Sequence, residues 1–323
     1  MTLKNQFMRA MGLLFLLPVL SDLWLSSPLI AQKPEKPFAV IGYLPDYRMN
    51  SITPDSLQGV TDLIYFGLVP AKNGRLDAVP VPRDVLLKLH SIKQKYPCRI
   101  LLSVGGWDRS QNFGELTAAA STRRMFIDDL VQYCRQNGFQ GIDYDWEHPK
   151  MGIELSNYIK LLKETREACR PHGMIVTVAQ AAWQDLGKEA YQIVDRVHLM
   201  AYDHEFPQAT YAKTTKDIER VLGWGCPPGK LAMGIPFYGR NKQRQARTYA
   251  EILSAQQIDP ARDLTGGYAY NGQTTVKRKV QYAAEKKLAG VMIWELGQDS
   301  NRTELGLLEA IRKQVKSAAT GKE

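Results

Sequence analysis

Residues 139–149 read Phe-Gln-Gly-Ile-Asp-Tyr-Asp-Trp-Glu-His-Pro, setting Asp143, Asp145 and Glu147 at every second position of a strand-like segment. Side chains on a strand alternate between faces, so the three carboxyls share one face while Ile142, Tyr144 and Trp146 occupy the other. Packing alone does not put three carboxyls in a row toward an interior. Burying such groups is costly unless they are hydrogen-bonded, protonated or used in chemistry. The pattern therefore points to acid/base catalysis by carboxyls.

The elements that must hold this strand are legible in the alternation of short aliphatic runs with longer helical periodicities. Strands are predicted at 38–44, 62–68, 99–104, 139–147, 174–180, 197–202, 231–237 and 290–294. Between them lie segments with apolar residues three and four apart, such as Thr122 to Gln136 and Ile153 to Arg170. Eight strands alternating with helices imply parallel pairing with right-handed crossovers, and a single α/β (β/α)8 barrel, a TIM barrel, closes such a set within about 250 residues. The rival, an open doubly wound sheet, would want a glycine-rich phosphate loop after the first strand, where Tyr43-Leu-Pro-Asp-Tyr-Arg48 stands instead. In a barrel the site lies at the carboxyl ends of the strands. Glu147 is then at the rim, with Asp145 and Asp143 successively deeper at about 7 Å per two residues. The two deeper carboxyls, as close like charges, are expected to share a proton.

The segment Gly141-Ile-Asp-Tyr-Asp-Trp-Glu147 resembles the signature of glycoside hydrolase family 18, the chitinase family. Other matches follow in order: Leu102-Ser-Val-Gly-Gly-Trp107, containing Ser103, Gly105 and Gly106; Met200-Ala-Tyr-Asp203; Gly234-Ile-Pro-Phe-Tyr-Gly-Arg240, containing Tyr238; and Val291-Met-Ile-Trp294. The resemblance implies a retaining, substrate-assisted hydrolysis of β-1,4-linked N-acetylglucosamine polymers, in which the substrate's own acetamido group is the nucleophile. It assigns Glu147 as acid and base, Asp145 as the group orienting the acetamido, Asp143 as its support and Tyr202 as a donor to the acetyl carbonyl. Asp203 would bind a sugar hydroxyl or amide, and Trp294 would floor the subsite of the distorted ring. Tyr43, Gln180, Met200, Tyr238 and Arg240 are further cleft candidates. Trp107 and Trp183, on loops after strands, offer faces for stacking on sugar rings. One position departs from the family pattern: Gln140 stands where another Asp is usual, and strand parity puts it on the face opposite the acids.

The remaining sequence narrows the setting. Lys4 and Arg9, the apolar stretch 12–20 and the small Ala31 describe a secretory signal peptide over 1–31, followed by the catalytic barrel over 32–323 and hence by export. A net charge of +9 is spread along the chain and does not indicate nucleic acid, though it slightly favours an anionic wall as partner. Cys98, Cys134, Cys169 and Cys226 form no C-x-x-C pair, and no histidine stands at metal-ligand spacing, so neither a metal nor another cofactor is expected. Their pairing, like the oligomeric state, stays open. The gap 241–287, with room for one extra helix and a loop, is the expected small insertion between strands seven and eight, and it implies a shallow groove with internal cleavage. Two alternatives accompany the chitinase reading. One is an endo-N-acetylglucosaminidase acting on peptidoglycan or an N-glycan core. The other is a non-hydrolytic, lectin-like chitin-binding barrel, although such proteins generally lose the acid that this chain keeps at Glu147.

Overall fold

The computed structural model describes residues 37–76, 80–254, 259 and 261–320; the expected signal peptide over 1–31 lies outside them. Eight parallel strands close a barrel: β1 (Ala39–Pro45), β2 (Asp62–Leu68), β3 (Arg99–Gly105), β4 (Gly141–Asp145), β5 (Ile175–Ala181), β6 (Arg196–Met200), β7 (Leu231–Pro236) and β12 (Gly290–Trp294). Each strand pairs with its sequential neighbour in the barrel, and β12 closes onto β1 with Ala39 opposite Gly290. The helices α1 (Arg83–Lys95), α2 (Phe113–Ala118), α3 (Ala120–Gln136), α4 (Ile153–Cys169), α5 (Gly187–Ile193), α6 (Tyr211–Gly223), α8 (Gln273–Glu285) and α9 (Leu307–Thr320) follow strands β2 to β7 and β12.

Two departures from the expected architecture have local causes. The crossover from β1 to β2 holds two 3-10 turns, Asp46–Arg48 and Pro54–Leu57, and no α-helix. It is short and opens after Pro45, and Pro54 interrupts any longer helix. The insertion after β7 is more than a helix and a loop. It forms a small antiparallel sheet of β8 (Tyr238–Arg240), β9 (Ala246–Thr248), β10 (Leu264–Thr265) and β11 (Tyr268–Ala269), in the order β10-β11-β8-β9, with α7 (Tyr249–Ser254) between β9 and β10. Strands of two or three residues are too short for alternation to show in a sequence.

Strand parity divides the apolar residues into two layers. Ala39, Ile41, Tyr43, Ile64, Phe66, Leu101, Ala232 and Met292 fill the barrel, whereas a larger cluster, including Val40, Leu102, Val104, Ile142 and Tyr144, packs between strands and helices. The outer face of β4 is pinned by aromatic rings. Phe113 of α2 stacks on Trp146 with centroids 4.9 Å apart, Tyr158 of α4 meets Trp146 edge-on at 5.3 Å, and the Tyr144 hydroxyl is 2.9 Å from Thr165 Oγ1. Each such ring pair adds about 0.5–1.5 kcal/mol beyond its buried area, so the strand cannot easily slip or rotate, and its acidic face stays turned inward. The four cysteines are free and buried.

Candidate active site

A cleft of about 990 Å³ opens over the carboxyl ends of the strands. Asp143 lies beneath its floor and is fully buried. Register places Ser103 of β3 and Thr177 of β5 on either side of it. Its Oδ2 accepts from the Tyr43 hydroxyl at 2.8 Å and from Ser103 Oγ at 3.1 Å; its Oδ1 accepts from Thr177 Oγ1 at 2.6 Å and lies 3.2 Å from His198 Nδ1. Burial by itself would raise the pKa of this carboxyl. The contact with His198 and the hydrogen bonds from Thr177 and Tyr43 outweigh burial and hold it below the ordinary aspartate value.

Asp145, one step nearer the mouth, has the opposite surroundings. Its Oδ1 is buried without a hydrogen-bond partner among the described residues, and burial, followed by the charges of Glu147 and Asp143, pushes its pKa well up. The two inner carboxyls are therefore pushed in opposite directions: the four groups around Asp143 favour its ionised form, while burial and like charge disfavour that of Asp145. Gly106, at φ +106°, makes room for this carboxyl, since a Cβ there would lie 2.1 Å from the Phe66 ring and 3.2 Å from Asp145 Oδ2. At Gly105, φ +97°, a Cβ would strike the Asp145 carbonyl oxygen at 2.4 Å.

Glu147 follows two residues after β4 ends, with its side chain 13% exposed at the mouth. Burial and the charge of Asp203, partly offset by the Trp107 backbone N–H, raise its pKa to about 7. Ser110, buried in the loop after β3, fixes the backbone at this point. Its hydroxyl accepts the Glu147 N–H at 3.0 Å and the Gly106 N–H at 3.3 Å, and stands 3.0 Å from the carbonyl oxygens of both Gly106 and Asp145.

The other walls come from the later strands. Among the described residues the Tyr202 hydroxyl has the Met292 sulfur, at 4.0 Å, as its one hydrogen-bond partner, a weak acceptor that a ligand oxygen can replace. Asp203, in the left-handed region at φ +60°, accepts from the Tyr238 hydroxyl at 2.7 Å and from the Arg240 guanidinium. Trp294 packs against Phe66 and Tyr43 with centroids 5.1 and 5.7 Å away and forms part of the cleft lining, as does Met200. Trp107 and Trp183 are 71% and 65% exposed at the rim, and the His148 ring stands edge-on to Trp183 with centroids 4.8 Å apart.

Of the residues singled out in the sequence, the cleft thus brings together Tyr43, Trp107, Asp145, Glu147, Trp183, Met200, Tyr202, Asp203, Tyr238, Arg240 and Trp294. Asp143, Ser103, Gly105 and Gly106 back its floor. Gln180 is not among the cleft residues: its amide donates to the Gln184 carbonyl and the Tyr191 hydroxyl on the outer side of β5, and Ala179 and Ala181 face the cleft instead. Parity along β5 excludes it, as Thr177 faces inward and Gln180 is an odd number of residues away. Sequence reading missed His198, Thr177 and Ser110. The first was detectable, because it precedes the inward Met200 by two residues on β6. Among the described residues no group of three or more His, Cys, Asp or Glu could hold a metal ion.

Comparison with known proteins agrees with this geometry. The family model described as "Glycosyl hydrolases family 18" matches residues 39–299. The chain is 24% identical over 283 residues to "Probable chitinase 2" of Drosophila melanogaster, covering 66% of this chain and 58% of that protein. It is 27% identical over 307 residues to "Chitinase A1" of Niallia circulans, covering 69% and 44%. The chain therefore spans about half the length of these relatives. Among solved structures, the chitinase ChiB from the chitin utilization locus of Flavobacterium johnsoniae superposes with a TM-score of 0.77 at 26% identity, covering 87% of this chain and 94% of that one.

Proposed function

The chain belongs to glycosyl hydrolases family 18, and we propose that it is a retaining, chitinase-type hydrolase of β-1,4-linked N-acetylglucosamine polymers. The observation that carries this reading is the ordering of the three carboxyls: one buried deepest among four hydrogen-bonding groups and held below the ordinary aspartate pKa, one above it with an unpartnered oxygen and a pKa pushed well up by burial, and one with a pKa of about 7 at the open mouth. Glu147 gives its proton to the glycosidic oxygen as that bond breaks, while the acetamido oxygen of the sugar on the non-reducing side bonds to the anomeric carbon. Asp145 and Tyr202 hold the acetamido group, through its N–H and carbonyl respectively, and the unpartnered Asp145 oxygen stabilises the resulting ring by accepting its N–H as that group gains positive charge. Water then attacks the anomeric carbon from the face the leaving group vacated, the bond from that carbon to the acetamido oxygen breaks and its electron pair restores the acetamido carbonyl, Glu147 takes the water's proton, and configuration is retained.

The reading includes cleavage of internal bonds, supported by an insertion that adds only a small sheet beside the groove, and export, supported by the N-terminal sequence pattern. The lectin-like alternative has less support, because the acid at Glu147 is present and its pKa suits proton donation near neutrality. Replacing Glu147 with Gln is expected to lower kcat on a chromogenic chitobioside by about 10²–10⁴-fold while affinity for chitooligosaccharides stays within a few-fold. Full turnover by that variant, or none by the wild type, sinks the assignment.

A further inference from the structure

One wall of the cleft carries charge that a neutral polymer does not use. Between Gly239 and Arg247 the β8–β9 hairpin places Arg240, Lys242, Arg244 and Arg247 with no acid among them. Arg240 is committed to Asp203, and Arg247 lies over the Tyr268 ring at 4.7 Å. Arg244 is different. Its side chain is exposed and reaches the cleft, and among the described residues no acceptor or acid pairs with its guanidinium.

The turn that presents Arg244 is built firmly. Arg240 Nη1 donates to the Arg244 carbonyl at 2.8 Å, Arg244 N–H to the Asn241 carbonyl at 3.0 Å, and the Asn241 and Gln245 side-chain amides meet at 2.8 Å. Arg244 itself sits at φ +65°. Glycine or asparagine would fill that conformation at lower cost, so an arginine there is held against local preference. A smaller depression of about 170 Å³ shares His204, Arg240 and Arg244 with the cleft and is walled further by Lys242 and Phe206, with Glu205 as its one acid. Together they extend the groove onto a cationic shelf.

We propose that this shelf is a subsite for a carboxylate-bearing sugar, so that the preferred substrate is an acetamido glycan in which N-acetylglucosamine units alternate with anionic ones. The inference rests on the hydrolase chemistry proposed above and shifts its preferred substrate from the neutral polymer to an anionic acetamido glycan. A carboxylate on the sugar over the hairpin accepts a paired hydrogen bond from the Arg244 fork, with Lys242 adding a point charge beside it. The lactyl ether of a wall glycan and the uronate of an acidic polysaccharide offer the same chemistry.

The test compares kcat/KM of the wild type and a K242Q/R244Q double variant on three tetrasaccharides: a neutral chitotetraose, a peptidoglycan strand fragment, and an alternating N-acetylglucosamine–glucuronate fragment. At low salt the wild type is expected to favour at least one anionic substrate about tenfold over the neutral one, the better of the two naming the source of the carboxylate. That preference shrinks as ionic strength rises, and in the double variant the ratio of anionic to neutral kcat/KM falls toward one. Equal or faster hydrolysis of chitotetraose by the wild type, or a ratio unchanged in the variant, overturns the subsite and leaves the hydrolase standing. Turnover of none of the three overturns the hydrolase reading itself.

Discussion

At the scale of single residues, the cleft works by giving chemically similar groups dissimilar surroundings. Asp143 meets four hydrogen-bonding groups and is held below the ordinary aspartate pKa; Asp145, buried beside Glu147 and Asp143, is pushed well above it. Glu147 is raised to about 7 by burial first and by the charge of Asp203 second. A general acid must be protonated to act, so activity is expected to fall as pH climbs through about 7. The contribution of Asp203 makes this separable from burial. In Asp203→Asn the negative charge is gone, ionisation of Glu147 becomes easier, and the alkaline limb of the kcat/KM profile on a chromogenic chitobioside should move to lower pH by about half a unit to one unit. An unmoved limb in that variant would assign the perturbation to burial alone.

At the scale of elements, the geometry of Glu147 depends on two loops being tied together. Ser110 is the tie, since its hydroxyl bridges the loop after β3 and the end of β4. Ser110→Ala is expected to lower kcat about 10–100-fold, with little change in KM, because a carboxyl displaced by a fraction of an ångström loses alignment with the glycosidic oxygen. Thermal unfolding in the same variant should fall by only a few degrees, in keeping with about 1–2 kcal/mol for an unsatisfied N–H near the surface. A large drop in Tm with kcat and KM changed together would make Ser110 merely structural. Ser110 also shows what a sequence leaves out: nothing in Asp108-Arg-Ser-Gln111 distinguishes a serine that bridges loops from one in a turn. The barrel strands, α3, α4 and the acidic face of β4 were readable because periodicities of two and 3.6 reflect burial on one side. The same parity, applied strictly, would have added His198 and Thr177 to the site and removed Gln180. The small sheet after β7 was not readable, because its strands are held by cross-chain pairing over two or three residues and carry no period of their own.

At the scale of the whole molecule, the two ends of the barrel respond to pH in opposite senses. At the bottom, Asp62 is ion-paired with Arg99 at 2.7 Å and with Arg196 at 3.4 Å, and despite burial its pKa is lowered. That contribution to stability is present above the unfolded aspartate pKa and is lost as pH falls through the lower folded value. At the top, Glu147 is raised, so its neutral form is the one the fold favours. Its contribution is complete below the unfolded glutamate pKa and is lost as pH rises through about 7. The active site therefore destabilises the fold in the very range where the acid begins to ionise. Glu147→Gln, which cannot ionise, should be more stable than the wild type by about 3 kcal/mol at pH 8, and the difference should close as the solution is brought below about pH 4.5. Urea unfolding of the two proteins at several pH values measures this directly. A constant difference across that range would mean that packing of the amide, rather than the charge of the carboxylate, separates them. A difference that grows with pH would show that the cost of burying this carboxylate is borne by the folded barrel.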